Sequence, residues 1–341
     1  VQRLSAAGVG TIQVAGDLTD PMLNLIRKLH ANGVVGLNER NCRYIMRYNP
    51  RRLYPLVDDK LATKNLAIAA GLPVPELYGV ISSHREVRNL PKILASHRDF
   101  VIKPAQGSGG DGILVISARV KDRNVYRLVD GSVLGEDDIE HHLSNIISGQ
   151  YSLGGHRDIA LIEYCVKFDT TFAEHAFRGV PDIRVIVVSG YPVMAMVRLP
   201  TRRSHGKANL HQGAVGAGLD LATGRTTHGV IGNSAVTEHP DTSAAIAGLQ
   251  IPRWEYLLHF AARCYELTGL GYLGVDIVLD RDKGPMLLEL NARPGLNIQI
   301  ANRCGLRSRL ALVEAESAGA PVEERVAFAM HTLATAVPAL N

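Results

Sequence analysis

What most constrains this 341-residue chain is a pair of short apolar runs near its end, each carrying a carboxylate. Gly274-Val-Asp276-Ile-Val-Leu-Asp280 and Pro285-Met-Leu-Leu-Glu289-Leu-Asn291 flank Arg281-Asp282-Lys283-Gly284, which reads as a β-hairpin. With Asp282-Lys283 as a two-residue turn, Asp276 falls directly opposite Glu289. Alternation along a strand puts Asn291 on the same face as Glu289. Opposed carboxylates repel, so among Val275, Ile277, Val278, Leu287, Leu288 and Leu290 they require a compensating cation. Two carboxylates and an amide oxygen form a hard-oxygen set suited to Mg²⁺, with Mn²⁺ as the alternative. The plain rival is a solvated face for Asp276 and Glu289, which the apolar neighbours disfavour.

A second feature lies upstream. Lys103-Pro-Ala-Gln-Gly107-Ser108-Gly109-Gly110-Asp-Gly112 contains G-x-G-x-x-G. Alone the pattern is weak, because glycine is common in turns. A dinucleotide fingerprint needs strand, loop, then helix. Here strand-like runs stand on both sides, Phe100–Lys103 before and Ile113–Ile116 after. Such a β-loop-β folds over phosphates, because missing side chains let backbone N–H groups approach oxygens. A plain hairpin turn is the rival. A protein kinase is excluded: the lysine precedes the loop, no DFG is present, and the His-Arg-Asp triplets at 97–99 and 156–158 lack the required asparagine. There is no Walker A sequence either.

The remaining pattern is mixed. Asp20-Pro21 starts a helix with Met22, Leu25, Ile26 and Leu29 at helical spacing and Gly33 closing it. Asn38 caps a second, whose face carries Arg40, Arg43 and Arg47 and reads as a solvated basic face. Asp58 caps a third through Ala70. From Tyr78 the period becomes strand-like, at Val125–Val129 and Ile159–Ile162 as well as beside the glycine loop, with a helix over 135–148. Ile183–Val188 and Pro192–Leu199 form a hairpin, a glycine-rich loop crosses 201–232, and Pro252–Thr268 is a helix. The pattern predicts an α+β fold with antiparallel sheets. Residues before Met22 are weakly patterned and read either as a flexible extension or as residues that are not native to the protein.

Composition bounds function. A net charge of +4 is too weak to argue for nucleic acid, and no apolar run nears the ~20 residues needed to span a bilayer. Cys42, Cys165, Cys264 and Cys304 follow neither a metal nor a disulfide spacing and read as reduced thiols in a cytoplasmic protein. His141-His142 reads as a surface pair on a polar helix.

Together these residues resemble the ATP-grasp superfamily from about Met22 onward. The resemblance is closest to the alpha-L-glutamate ligase-like proteins related to the ribosomal protein S6 modification enzyme. It is carried by Asn49-Pro-Arg-Arg-Leu-Tyr-Pro-Leu-Val-Asp-Asp-Lys60, Phe100–Gly112, Asp182-Ile-Arg184, Asn209-Leu-His211-Gln-Gly213 and Leu288-Leu-Glu289-Leu-Asn291-Ala-Arg293-Pro-Gly295. The resemblance implies two α+β subdomains gripping ATP between antiparallel sheets behind a short helical N-terminal region, divided as 1–57, 58–166 and 167–341. By the same resemblance Lys60 and Lys103 contact ATP phosphates, and Gly107, Ser108, Gly109, Gly110 and Gly112 close over them. Glu163, Tyr164, Cys165 and Val166 form the adenine hinge, and Asp182 holds ribose. Asp276, Glu289 and Asn291 are the metal triad, while Arg184, Arg198, Asn209 and Arg293 meet the acyl phosphate or its carboxylate. Val275 stands where the more distant D-alanine–D-alanine ligases carry an arginine, so Arg198 or Arg293 must supply that charge. The segment Glu238-His-Pro-Asp-Thr242 is instead similar to ATP-grasp proteins associated with sugar transfer.

The resemblance implies a Mg²⁺- and ATP-dependent carboxylate–amine ligase acting through an acyl phosphate, with a peptide or protein C-terminus as the leading acid and glutamate as the leading amine. Two rivals are a phosphotransferase of the same fold acting on a hydroxyl and an ATP-sensing regulator without activity. The sequence leaves the oligomeric state open.

Overall fold

The computed structural model describes residues 21–107, 109–120, 125–152, 154–316 and 319–336. Ser108 and the expected extension over residues 1–20 lie outside these. Two antiparallel sheets organise the rest, an α+β architecture as expected.

The smaller sheet has strand order β1-β6-β2-β3-β4-β5. Its strands are β1 (Leu77–Ile81), β2 (Phe100–Pro104), β3 (Leu114–Val120), β4 (Val125–Leu128), β5 (Val133–Leu134) and β6 (Ala160–Glu163). The helix Glu136–Ile147 covers one face with Ile139, Leu143, Ile146 and Ile147, one stripe at helical spacing. The Asp138 carboxylate accepts from the Gly135 N–H at 2.8 Å and starts that helix.

The larger sheet has order β11-β10-β9-β8-β7-β12-β13. Its strands are β7 (Asp182–Val188), β8 (Tyr191–Leu199), β9 (Val215–Leu219), β10 (Thr226–Ile231), β11 (Ser234–Val236), β12 (Tyr272–Asp280) and β13 (Gly284–Asn291). The helix Trp254–Thr268 packs Leu257, Leu258, Ala261 and Cys264 into its core and ends at Gly269, φ +66°. The 201–232 stretch is therefore not simply a glycine-rich loop, since it contains β9 and β10. Its glycines allow close packing: a Cβ on Gly218 would stand 2.6 Å from the Ala301 carbonyl oxygen.

The β12–β13 hairpin pairs Asp276 with Glu289 as expected, by a different route. Asp280 pairs with Gly284, so the loop is the three residues Arg281-Asp282-Lys283. The pairing then jumps from Ile277–Leu287 to Asp276–Glu289, leaving Leu288 as the extra residue of a bulge. Loop and bulge together restore the opposition that a two-residue turn would give.

The N-terminal helices also differ in detail. Residues 37–48 are helical with a π-helical centre, entered from Gly36 without any side-chain cap, so Asn38 does not cap it. Arg43 and Arg47 reach Glu314 at the surface, but Arg40 is buried and donates to the Pro294 carbonyl at 2.8 Å. The next helical residues are Pro55–Asp58 and then Lys60–Ala69, capped by Asp59 rather than Asp58. Asn49 is buried and joins the hairpin ends. Its amide donates to the Tyr272 and Ala292 carbonyls and its oxygen accepts from the Tyr272 N–H, each at 2.8 Å. In the helix Pro21–Ala31 the side chains of Leu25, Ile26 and Leu29 stay exposed. Among the described residues no helix is long and apolar enough to cross a membrane.

Candidate active site

A cavity of about 790 Å³ lies between the two sheets. Apolar side chains from both sides, among them Leu114, Val166, Val278 and Leu288, form one part of its lining. Charged groups from Lys60 and Lys103 on one side and Arg184, Arg198 and Glu289 on the other form another part. That combination is what a ligand with a flat ring and an anionic tail requires.

The larger sheet supplies a buried acid–arginine network. Arg184 grips both oxygens of Asp276 at 2.7 and 2.6 Å, across the register that pairs the two residues. Arg198 grips both oxygens of Asp182 and reaches Asp276 at 2.9 Å. Burial alone would raise the Asp276 carboxyl, but Arg184 and Arg198 outweigh it and hold it at about 2. Burial pushes the Asp182 carboxyl up to about 6 against the pull of Arg198. So the cation that an apolar hairpin demands beside Asp276 is already present as two guanidinium groups. Glu289 differs: among the described residues it has no hydrogen-bond or ion-pair partner. Asn291 donates to Asp276 at 3.3 Å.

The smaller sheet supplies lysines. Lys103 on β2 and Lys64 on the helix Lys60–Ala69 both pair with Glu163, Lys64 at 3.0 Å. Burial lowers the Lys64 pKa against the pull of Glu163. Lys60 donates to the Gly107 carbonyl, and burial lowers its pKa too. Beyond Gly107 the glycine loop turns through Gly109, Gly110 and Gly112 at φ +66°, +81° and +72°. The loop spans the cleft: Asn209 and Gln212 donate to the Gly109 carbonyl at 3.2 and 3.4 Å.

Residues 39–315 match the family of sugar-transfer associated ATP-grasp proteins. The chain belongs to that family. The superfamily is the one its motifs resemble, and the family is the one that residues 238–242 resemble. Solved structures similar to this ATP-grasp protein include the ligase PsnB with a minimal precursor, at 17% identity and TM-score 0.44, over 89% of this chain and 76% of that one. D-cycloserine synthetase DcsG gives 17%, 0.45, 78% and 73%. A RimK domain ATP-grasp protein from Sphaerobacter thermophilus gives 15%, 0.43, 77% and 70%. No protein of curated function is significantly similar in sequence.

Most of the expected site residues line this ATP-grasp cavity: Lys60, Lys103, Gly109, Gly110, Glu163 to Val166, Asp182, Arg184, Arg198, Asn209, Asp276, Glu289 and Asn291. Gly107 and Gly112 anchor the ends of the glycine loop. Arg293 stands apart, exposed over the Tyr54 ring and 3.9 Å from Asp58. Three residues escaped sequence reading. Lys64, one helical turn from Lys60, looks like an exposed lysine but is buried on Glu163. His142, expected at the surface, is partly buried and bonds the Gly112 carbonyl at 3.0 Å. Lys207 reaches Gly110, where an added Cβ would meet its Cδ at 3.5 Å. Only Lys207 had a nearby signal, two residues before the Asn209–Gly213 motif.

Proposed function

We propose that the protein is an ATP-dependent carboxylate–amine ligase working through an acyl phosphate. The leading reaction joins an amino acid such as glutamate to a peptide or protein carboxylate. The supporting observation is that one cavity gathers a lysine-and-glycine wall from one sheet and an acid–arginine wall from the other. In this reading the γ-phosphoryl group of ATP passes to a substrate carboxylate oxygen as its bond to ADP breaks. The amine then attacks the acyl carbon, phosphate departs with the bonding pair, and the amine gives its proton to solvent.

Neither step needs a protein nucleophile, so catalysis rests on positioning and charge neutralisation. The one thiol in the cavity, Cys165, is pushed up to about 11 by burial and stays protonated. Lys60, Lys103 and the loop Gly107–Gly112 would meet the phosphates, with Ser108 in that loop. The hinge Glu163–Val166 would take adenine, with Val166 against the ring, and Asp182 the ribose. Arg184, Arg198 and Asn209 would meet the acyl phosphate. For the charge opposite the tetrahedral centre Arg198 is better placed than Arg293, because it lines the cavity.

The donor set suits Mg²⁺. Glu289 makes no hydrogen bond or close ion pair among the described residues and only feels the charge of Lys60, and Asn291 turns its nitrogen to Asp276, which leaves its oxygen for a cation. Asp276, now held by Arg184 and Arg198, would be the third residue to hold it. When bound, Mg²⁺ would neutralise phosphate charge.

Hydroxylamine added with ATP, Mg²⁺ and a panel of acids tests the reading. Peptides with free C-termini come first, and the family's association with sugar transfer adds acidic sugars. ADP with a hydroxamate is expected. AMP would overturn the mechanism, and ADP with a stable phosphoester would make the protein a phosphotransferase.

A further inference from the structure

Residues 238–242 have no part in that chemistry and do not line the cavity, yet His239 and Asp241 hold the turn 200–206, whose His205 and Gly206 do. The buried His239 takes the Asp241 N–H on Nδ1 at 3.3 Å, so Nε2 carries the proton and donates to the Pro200 carbonyl at 3.0 Å. The Asp241 carboxylate accepts from the Arg202 N–H at 2.7 Å. Between them Thr201 and Ser204 are fully buried and exchange bonds, Thr201 N–H to Ser204 Oγ at 2.9 Å and Ser204 N–H to Thr201 Oγ1 at 3.1 Å. The turn 200–206 is thus held from both sides.

That turn crosses a second one backbone to backbone. A Cβ on Gly179 would stand 1.9 Å from the Gly206 carbonyl oxygen, and one on Gly206 would stand 1.9 Å from the Arg178 carbonyl oxygen. At the crossing two non-glycine residues are forced left-handed, Arg178 at φ +44° and His205 at φ +52°. Strained backbone persists where surrounding contacts over-determine it, commonly where a side chain must be aimed. Arg178, His205 and Lys207 all line the cavity, and none of them forms an ion pair among the described residues. Arg178 donates to the Asp130 carbonyl at 3.1 Å, while the Asp130 carboxylate is taken by Ser132.

We propose that Arg178, His205 and Lys207 form a subsite for a second anionic group, a phosphate or a carboxylate, that the acid substrate carries beyond the carboxylate that reacts. His239 and Asp241 are positioning residues that hold the turn. The inference rests on the reading that this cavity takes the acid substrate.

The test is calorimetric titration of inorganic phosphate, and separately of succinate, into protein loaded with Mg²⁺ and AMPPNP. The nucleotide analogue fills the ATP phosphate positions, and the reacting-carboxylate site at Arg184 and Arg198 stays open in wild type and variants alike, so the anion binding lost in the Arg178 and His205 variants reports the subsite. Asn tolerates the left-handed region, so Arg178→Asn and His205→Asn remove the groups without new strain. Anion affinity should fall at least about tenfold in Arg178→Asn, as for the loss of a charge-assisted hydrogen bond. Binding of phosphate alone supports a phosphorylated acid, and binding of succinate supports a polycarboxylate. No binding of either, or binding unchanged in both variants, overturns the proposal. His239→Gln, which keeps a donor toward Pro200, should retain more affinity than His239→Ala; equal affinity in both removes the positioning role. Failure of every acid to yield hydroxamate would sink the ligase reading without altering the anion titration.

Discussion

Lys64 and Glu163 form a buried ion pair, Nζ to Oε2 at 3.0 Å, with side chains only 5% and 3% exposed. Lys103 holds the other carboxylate oxygen. Removing one partner of a buried pair costs far more than the pair contributes, because the other charge is left without compensation. Lys64→Ala should therefore destabilise the fold by about 3 kcal/mol, the low end of such losses, since Lys103 remains. Urea unfolding measures this, and a midpoint equal to wild type would show that Lys64 is free in solution.

The two carboxylates of the hairpin should behave differently. Asp276→Asn removes the charge and one of the two acceptor oxygens that Arg184 and Arg198 share, and should cost about 3–5 kcal/mol. Glu289→Gln removes no hydrogen bond among the described residues and should leave the melting temperature near wild type. In the proposed mechanism it nevertheless abolishes Mg²⁺-dependent ATP turnover. Melting curves alongside an ADP-release assay separate the two effects, and turnover by Glu289→Gln would remove that residue from the metal site.

The glycine loop offers a comparison of strain with collision. Both Gly109 and Gly112 have positive φ, so alanine is strained at either. At Gly112 the new Cβ would also stand 2.6 Å from the Tyr151 ring, whereas at Gly109 it meets nothing within 4 Å. Gly112→Ala should weaken ATP binding more than Gly109→Ala, and adding Tyr151→Ala should recover part of the loss. Equal affinities for the two single variants, read by fluorescent nucleotide titration, would show that the ring contact is unimportant.

His142 links the same loop to pH. Burial lowers its pKa against the raising effect of its bond to Gly112, so the fold favours the neutral ring. Its contribution is complete above the unfolded value of about 6.5 and is lost as pH falls through that value toward the lower folded one. His142→Gln keeps a donor for the Gly112 carbonyl and cannot titrate. The difference in melting temperature between wild type and variant should shift against wild type between pH 7 and pH 5. A constant difference would mean that the ring is solvated.

Much of this was legible because charge in an apolar context has few solutions. Asp276 and Glu289 had to oppose each other on a buried hairpin, and a lysine-led glycine loop between strands lies over the cavity between the sheets. What stayed hidden was of two kinds. Some residues change meaning with tertiary burial: Lys64 and Arg40 read as surface cations, and only the packed sheets show them buried. Others are glycines whose reason is proximity. Val215-Gly-Ala-Gly-Leu219 reads as loop until the helix Asn297–Asn302 is seen against it, too close for a Cβ at Gly218.

The bulge at Leu288 does more than restore a register. In a regular strand, neighbours along the chain face opposite ways, and residues sharing a face are about 6.6 Å apart. Here Leu288 and Glu289 follow one another and both line the cavity. An apolar floor and a carboxylate thus sit one peptide apart on one strand. A two-residue turn that paired Arg281 with Gly284 would tidy the register and turn Leu288 and Glu289 to opposite faces, so the irregular hairpin is the form of this sequence that brings both to the cavity.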